Sequence, residues 1–402
     1  MRADNPTLSD WSRQVGVLTF SRIARDRRVL RQCALLEDMS HQPLVIAYRE
    51  PEDALPYASC LWPVPRPTLL HRLSTVARQL PAHLGLWAAK AGFWIEPRHR
   101  WALEALKRHA PRLVIANDWP ALVVAAAYKQ ASGCLIHYDT HEFATLEFDE
   151  RAFWRLVYKP MVTALERHAI PMADSISTVG PKLAEALQEH YALAHPPAVV
   201  RNIPDRIALD ANAQTGWPLR ILYHGQVLPD RGLEALIDSI PLWAEPHRLT
   251  IRGDGNAGYI AGLKAKIEAT GRAELVTFEQ AVPPDEVMPL AAHSADLGVH
   301  FTPLNTDQRH FSLPNKLFEY IGAGLAVAVS PGVDLKRVVE GHGVGVVSRD
   351  ASAKAAADAI NRLTQASVSA FKAASRQAAQ TLCWESEREV LRDALEPLMR
   401  GM

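Results

Sequence analysis

Residues 312–324 read SLPNKLFEYIGAG and run into the apolar stretch Leu325–Val329. A turn ending in Pro314 predicts a helix start, because proline suits the opening positions, where an N–H is not needed. Asn315 and Lys316 then fall in the first turn, and Glu319, four residues after Asn315, shares its face. Gly322, Ala323 and Gly324 close the helix ahead of a strand. Free first-turn N–H groups and the positive end of the helix dipole make a seat for an anion. Lys316 adds a mobile positive charge. Glu319 can take two hydroxyls of something attached to that anion, and a diphosphate joined to a ribose has that shape. An ordinary amphipathic helix with a solvated Lys and Glu gives the same letters.

Working outward, short apolar runs alternate with helical stretches. In the first half the runs are Val15–Phe20, Leu44–Tyr48, Leu113–Ala116, Leu135–Tyr138, Ser175–Val179 and Val199–Val200, with a helix from Ala24 to Met39 and another from Pro120. In the second half they are Ile221–Tyr223, Leu249–Ile251, Val276–Phe278, Leu297–His300 and Leu325–Val329, with helices from about Gly232, Tyr259, Pro284 and Asn315. Unbroken apolar strands separated by helices mean a parallel sheet covered on both faces. The fold class is therefore α/β, with two Rossmann-like doubly wound domains. The linker is read from Asn202-Ile203-Pro204-Asp205 through a polar stretch to Pro218. Two such domains facing one another form a cleft, with ligands beyond the carboxyl ends of the strands. Residues 55–97, with several prolines and Trp62, Trp87 and Trp94, read as an insertion in the first domain. Within it, Leu84–Ile95 places aromatics beside Lys90, so it either touches a membrane surface or packs its tryptophans into the local core. The Ala-rich stretch 351–379 reads as helix.

The 402 residues carry 44 Lys+Arg against 44 Asp+Glu, and this zero net charge argues against nucleic-acid partners. Four scattered cysteines show no CxxC spacing, so neither a zinc nor a disulfide framework is indicated, and such usage suits a reducing compartment. The polar N-terminus has no signal-peptide core, and no apolar run reaches the length of a membrane span. A cytoplasmic protein is expected, with a peripheral place at the inner face of the membrane left open.

Several residues are candidates for chemistry. Gly225 and Gln226 follow a strand, and Arg231 opens the next helix, an arrangement that suits phosphate without being a P-loop. Gly253 lies in a second strand-to-helix turn. In the first half, Asp139 and His141 end one strand. Asn117 and Asp118 end another, where Asp118 alternatively caps the following helix. His137 and His141 are not spaced for a metal, and a satisfied structural histidine is the plainer reading. Glu166 reads as part of a solvated helix face. The basic group Arg22, Arg25, Arg27, Arg28 and Arg31 suits an anionic acceptor or lipid head groups, or a solvated face.

In their joint order, the segments DRRVLRQCALLED, NDWPAL, YDTHEF, LERHAIPMADSISTVG, VRNIPD, HGQVLPDRGLEALI, IRGDGN and PNKLFEYIGAGLAVAVS make the chain resemble the family 4 glycosyltransferases, retaining enzymes of the two-domain GT-B fold. The resemblance covers most of the chain. It implies an acceptor-binding domain of residues 1–203, with a C-terminal helix at about 384–402 packing back on it, and a nucleotide-sugar domain of residues 204–383. It implies donor binding by Gly225, Gln226, Arg231, Gly253, Asn315, Lys316 and Glu319, with Arg231 on the diphosphate and Glu319 on the ribose. His141, Arg231 and Lys316 take the catalytic roles, and Asp118, Asp139 and Arg22 lie on the acceptor side. The partners implied are a nucleotide-sugar donor and a glycan, lipid-linked or small-molecule acceptor, in cell-surface polysaccharide or glycoconjugate synthesis, with no cofactor or metal beyond the donor itself. Two positions depart from the family: Phe311 stands where the first glutamate of E-x7-E belongs, and Gln226 where an arginine is frequent. A sugar-nucleotide epimerase and a non-catalytic scaffold subunit are the competing readings.

Overall fold

The computed structural model describes residues 14–49, 55–63, 69–208 and 214–400. The polar N-terminal stretch, residues 64–68 of the 55–97 region and residues 209–213 of the linker lie outside this description. The chain divides into two compact units, one up to Val200 and again from Arg388, the other Arg201–Glu387.

Unit 1 is built on β1 (Gln14–Arg22), β2 (Gln42–Arg49), β3 (Ala58–Pro63), β4 (Leu113–Asn117), β5 (Leu135–Thr140), β6 (Ser175–Thr178) and β7 (Ala198–Val199), in spatial order β3-β2-β1-β4-β5-β6-β7. All its pairings are parallel. Unit 2 holds β8 (Arg220–His224), β9 (Arg248–Arg252), β10 (Val276–Glu279), β11 (Leu297–His300), β12 (Ala326–Val329) and β13 (Gly345–Val347), ordered β10-β9-β8-β11-β12-β13 and again all parallel. In each sheet the order reverses beside the first strand, and ligands of such sheets sit beyond the carboxyl ends there. The central strands are apolar on both faces because helices cover both; β4 and β11 are buried along their whole length.

Three expectations are corrected. The 55–97 region is not an insertion throughout, since β3 extends the sheet beside β2. Its sequence hid this because an edge strand is half solvated and tolerates Ser59 and Pro63. The tryptophans of the helix Leu86–Ile95 do not share one fate: Trp94 packs against buried Phe93, whereas Trp87 stands exposed. Glu166 is not solvated. It is fully buried and accepts hydrogen bonds from the Tyr138 and Tyr191 hydroxyls at 2.7 and 2.6 Å.

The Ala-rich stretch forms two helices, Ala353–Asn361 and Gln365–Ala378, separated where Thr364 caps the second. Buried Lys372 fixes the second helix to the sheet through Asp296 at 3.0 Å, and Ser375 donates to the Leu325 carbonyl. The last helix, Trp384–Arg400, begins in unit 2, where Glu387 takes Arg201, and continues in unit 1, where Arg388 pairs with Asp38.

Candidate functional site

In unit 2 the carboxyl ends of β8 and β11 and the helix Asn315–Gly322 meet. The helix begins after Pro314 with no side-chain cap, which leaves first-turn N–H groups open. Its seating depends on Gly298 of β11: a Cβ there would come within 2.2 Å of the Tyr320 ring. The Tyr320 hydroxyl in turn accepts the His224 backbone N–H at 3.0 Å. Glu319 points back to β8 and accepts from His224 Nε2 at 2.8 Å, so its carboxylate is aimed rather than loose. His224 is buried, and its Nδ1 has no hydrogen-bond partner among the described residues.

Lys316 is not the mobile surface charge its letters suggest. It is half-buried, with its ammonium 3.8 Å from the centroid of the Tyr223 ring. Burial, then the charge of Arg231, push it down to about 7 against the pull of Glu319. His300, at the end of β11, is buried, and desolvation followed by the charges of Lys316 and Arg231 hold it well below the usual histidine range. Arg231 is exposed. Among the described residues neither Arg231 nor Lys316 makes an ion pair. Arg231 and Lys316 thus both bear on His300 beside an uncapped helix start, with Glu319 as the counter-charge.

Gly225 lies against this group, with a Cβ built on it 3.4 Å from Lys316 Nζ. Gln226 is exposed, and its carbonyl accepts the Tyr223 hydroxyl at 2.8 Å. Gly253 has a different reason to be glycine: at φ +155 a Cβ would sit 1.8 Å from the Gly225 carbonyl oxygen, so it lets two strand-end turns abut. Asn315 is exposed at the helix start. His224 entered the sequence reading only as the first residue of the turn His224-Gly225-Gln226, and His300 and Tyr223 were not candidates; a polar or aromatic residue at the end of an otherwise apolar strand was their available signal.

In unit 1 a polar network closes the ends of β4 and β5. Arg28 forks onto Asp139 at 2.6 and 2.7 Å and donates to the Val200 carbonyl, which ties β5 to β7. Gln32 and Ser177 also donate to Asp139, each at 2.6 Å. Asp139 is buried. Burial alone would raise its carboxyl, and Arg28, aided by His141, overrides this and holds it well below the usual range. Asp139 is thus a packed hub, and Arg28 belongs neither to a solvated face nor to an open anion site. His137 is the structural histidine its environment allows, between the Ser175 and Ser177 hydroxyls.

His141 is partly exposed, with Nδ1 3.4 Å from Asp118 and Nε2 3.4 Å from Asp139. Burial pushes it down, but Asp118 and then Asp139 outweigh that and bring it up to about 9, so it is an imidazolium at neutral pH. Asp118 does not cap the helix that it opens. It sits at φ +66, and its carboxylate accepts the His141 backbone N–H at 3.3 Å. Arg22 is exposed at the end of β1; the Arg25 side chain lies outside the description.

Residues 218–366 match the family model of Glycosyl transferases group 1, and these bounds contain the unit 2 residues of this site. Among solved structures, sucrose-phosphate synthase from Thermosynechococcus elongatus is similar at a TM-score of 0.75 and 14% identity, over 97% of this chain and 100% of that one. HepE of Anabaena, in complex with UDP and glucose, gives 0.67 and 14% over 96% and 99%. WaaG, a glycosyltransferase involved in lipopolysaccharide biosynthesis, gives 0.65 and 17% over 94% and 98%. No curated protein matches the sequence. The fold is GT-B.

Proposed function

We propose that this protein is a glycosyltransferase that moves a sugar, with retention, from a nucleoside-diphosphate sugar to an acceptor hydroxyl. The observation that carries the reading is the pair of cations, Arg231 and Lys316, that make no ion pair among the described residues and act on one another beside Glu319 at one helix start. The match of residues 218–366 and the UDP held by HepE support a uridine diphosphate sugar as donor. The role of WaaG supports a glycan acceptor of the cell surface.

The hard step is departure of the diphosphate as the anomeric carbon gains positive character. Arg231, Lys316 and the first-turn N–H groups of Asn315–Gly322 receive the leaving charge. Glu319, aimed by His224, takes the ribose hydroxyls. The bond from sugar to acceptor oxygen forms on the face the diphosphate leaves, and the acceptor proton passes to the departing phosphate. His141, raised to about 9, is a charged imidazolium at neutral pH and does not suit a general base.

Each charge-assisted hydrogen bond contributes about 1.5–3 kcal/mol. Arg231→Ala is therefore expected to lower turnover of a sugar nucleotide by roughly one to two decades, without loss of thermal stability. Phe311, in place of a donor-sugar carboxylate, favours a second reading in which the donor binds but turns over weakly. Donor binding without product on any acceptor would select it.

A further inference from the structure

The helix Leu86–Ile95 is apolar on both faces. Its inner face, Ala88, Ala89, Gly92 and Phe93, is buried, with a Cβ on Gly92 only 2.1 Å from the Arg78 carbonyl oxygen and Phe93 stacked on His99 at 3.7 Å. Its outer face carries Trp87, Ala91 and Ile95 at helical spacing. Trp87 is 69% exposed and Ile95 54%, and the short 3₁₀ segment before the helix adds Leu80 at 49% and Leu84 at 67%. A second element joins this face. His83 of the 3₁₀ segment bonds the Leu156 carbonyl at 2.7 Å, and the helix Ala152–Val157 presents Phe153, 57% exposed, and Leu156, 64% exposed. A helix apolar on both faces, with Lys90 as its one charge, belongs inside a core or against lipid, and the outer side of this one is exposed among the described residues of unit 1.

We propose that unit 1 rests on an anionic lipid surface through Leu80, Leu84, Trp87, Ile95, Phe153 and Leu156. Charge complementarity names the occupant. Although the chain is neutral overall, residues 78–109 hold six Lys and Arg against two Glu, and in the second element Arg151 and Lys159 pair with Glu150 and Asp149 while Arg155 makes no ion pair among the described residues. Glu96 is turned inward onto Arg78 at 2.8 Å. Arg100, reaching the Ile95 carbonyl, and Arg155, lying between Phe153 and Leu156, flank the apolar residues on the exposed side. Tryptophan and basic residues around a shallow apolar ridge fit the head-group boundary of a bilayer. A second copy fits less well, because a two-fold contact would set the same basic rims against each other. No helix among the described residues is long and apolar enough to cross a membrane, so the contact is a surface one.

The test is sedimentation of the full-length protein with vesicles of equal parts phosphatidylglycerol and phosphatidylcholine, and with vesicles of phosphatidylcholine alone. The wild type is expected to pellet with the anionic vesicles and to be released by high salt. The triple variant Leu84→Gln/Trp87→Gln/Phe153→Gln is expected to stay in solution while keeping its melting temperature and its nucleotide binding. Arg155→Gln is expected to weaken partitioning roughly fivefold, in line with about 1 kcal/mol per basic residue at an anionic surface. The proposal is overturned if the wild type stays in solution or if the triple variant pellets like it. It is equally overturned if the wild type is a dimer, ignores lipid, and becomes monomeric in the triple variant.

Discussion

Lys316 is where charge, burial and the proposed chemistry meet in one side chain. With its ammonium over Tyr223 and titrating at about 7 beside Arg231, it is only partly charged at neutral pH. A bound diphosphate would raise that value, so the complex takes up a proton. The linkage sign follows: affinity is full below pH 7 and weakens as pH rises from there toward the pKa of the bound state, by at most about tenfold per unit. Calorimetry of UDP binding in buffers of different ionisation enthalpy is expected to show this uptake at pH 8, and Lys316→Arg is expected to abolish it. Arg231, Lys316 and Glu319 were legible in the sequence because a helix start, a lysine and a carboxylate one turn on define a shape. The depressed Lys316 was not, since it depends first on burial and then on the charge of Arg231, a residue far along the chain. His141 behaves in the opposite sense. Its value is raised from 6.5 to about 9, so its contribution to stability is complete below pH 6.5 and is lost as pH rises through 9. Urea unfolding across that range is expected to show the loss, and Asp118→Asn is expected to flatten it.

At the scale of elements, unit 1 is tied together by groups whose letters resemble surface residues. Glu166 bridges β5 to the end of the helix Pro181–Tyr191 by accepting from two tyrosines. Burial raises it to about 7, against the pull of those hydroxyls. Glu166→Ala is expected to cost about 1–3 kcal/mol for each hydroxyl left unpaired, read from urea unfolding. Arg28 and Asp139 link the first helix, β5 and β7, and loss of either partner from such a buried pair costs about 3–5 kcal/mol. Asp139→Ala is therefore expected to melt early, whereas Arg231→Ala melts like the wild type and loses turnover. That contrast separates a hub from a donor contact. The inner strands were legible because burial on both faces leaves unbroken apolar runs. The edge strand β3 and the buried Glu166 were not, because an edge needs no such run and a satisfied carboxylate leaves no trace in periodicity.

Over the whole molecule, each unit has its own sheet, its own buried core and its own polar group at the carboxyl ends of its central strands. The repeated strand-and-helix grammar made both sheets readable, and the likeness to known GT-B structures spans nearly the entire chain. The nucleotide is proposed to bind on unit 2 alone. Thermal shift of the full-length protein with a panel of sugar nucleotides tests this most directly, since a ligand held at a hundred times its Kd adds about 2.7 kcal/mol to the stability of the state that binds it. A uridine diphosphate sugar is expected to raise the wild-type melting temperature by several degrees, and Arg231→Ala and Glu319→Ala to remove the shift while melting as the wild type does without ligand. An undiminished shift in both variants, or no shift with any sugar nucleotide, would contradict the account.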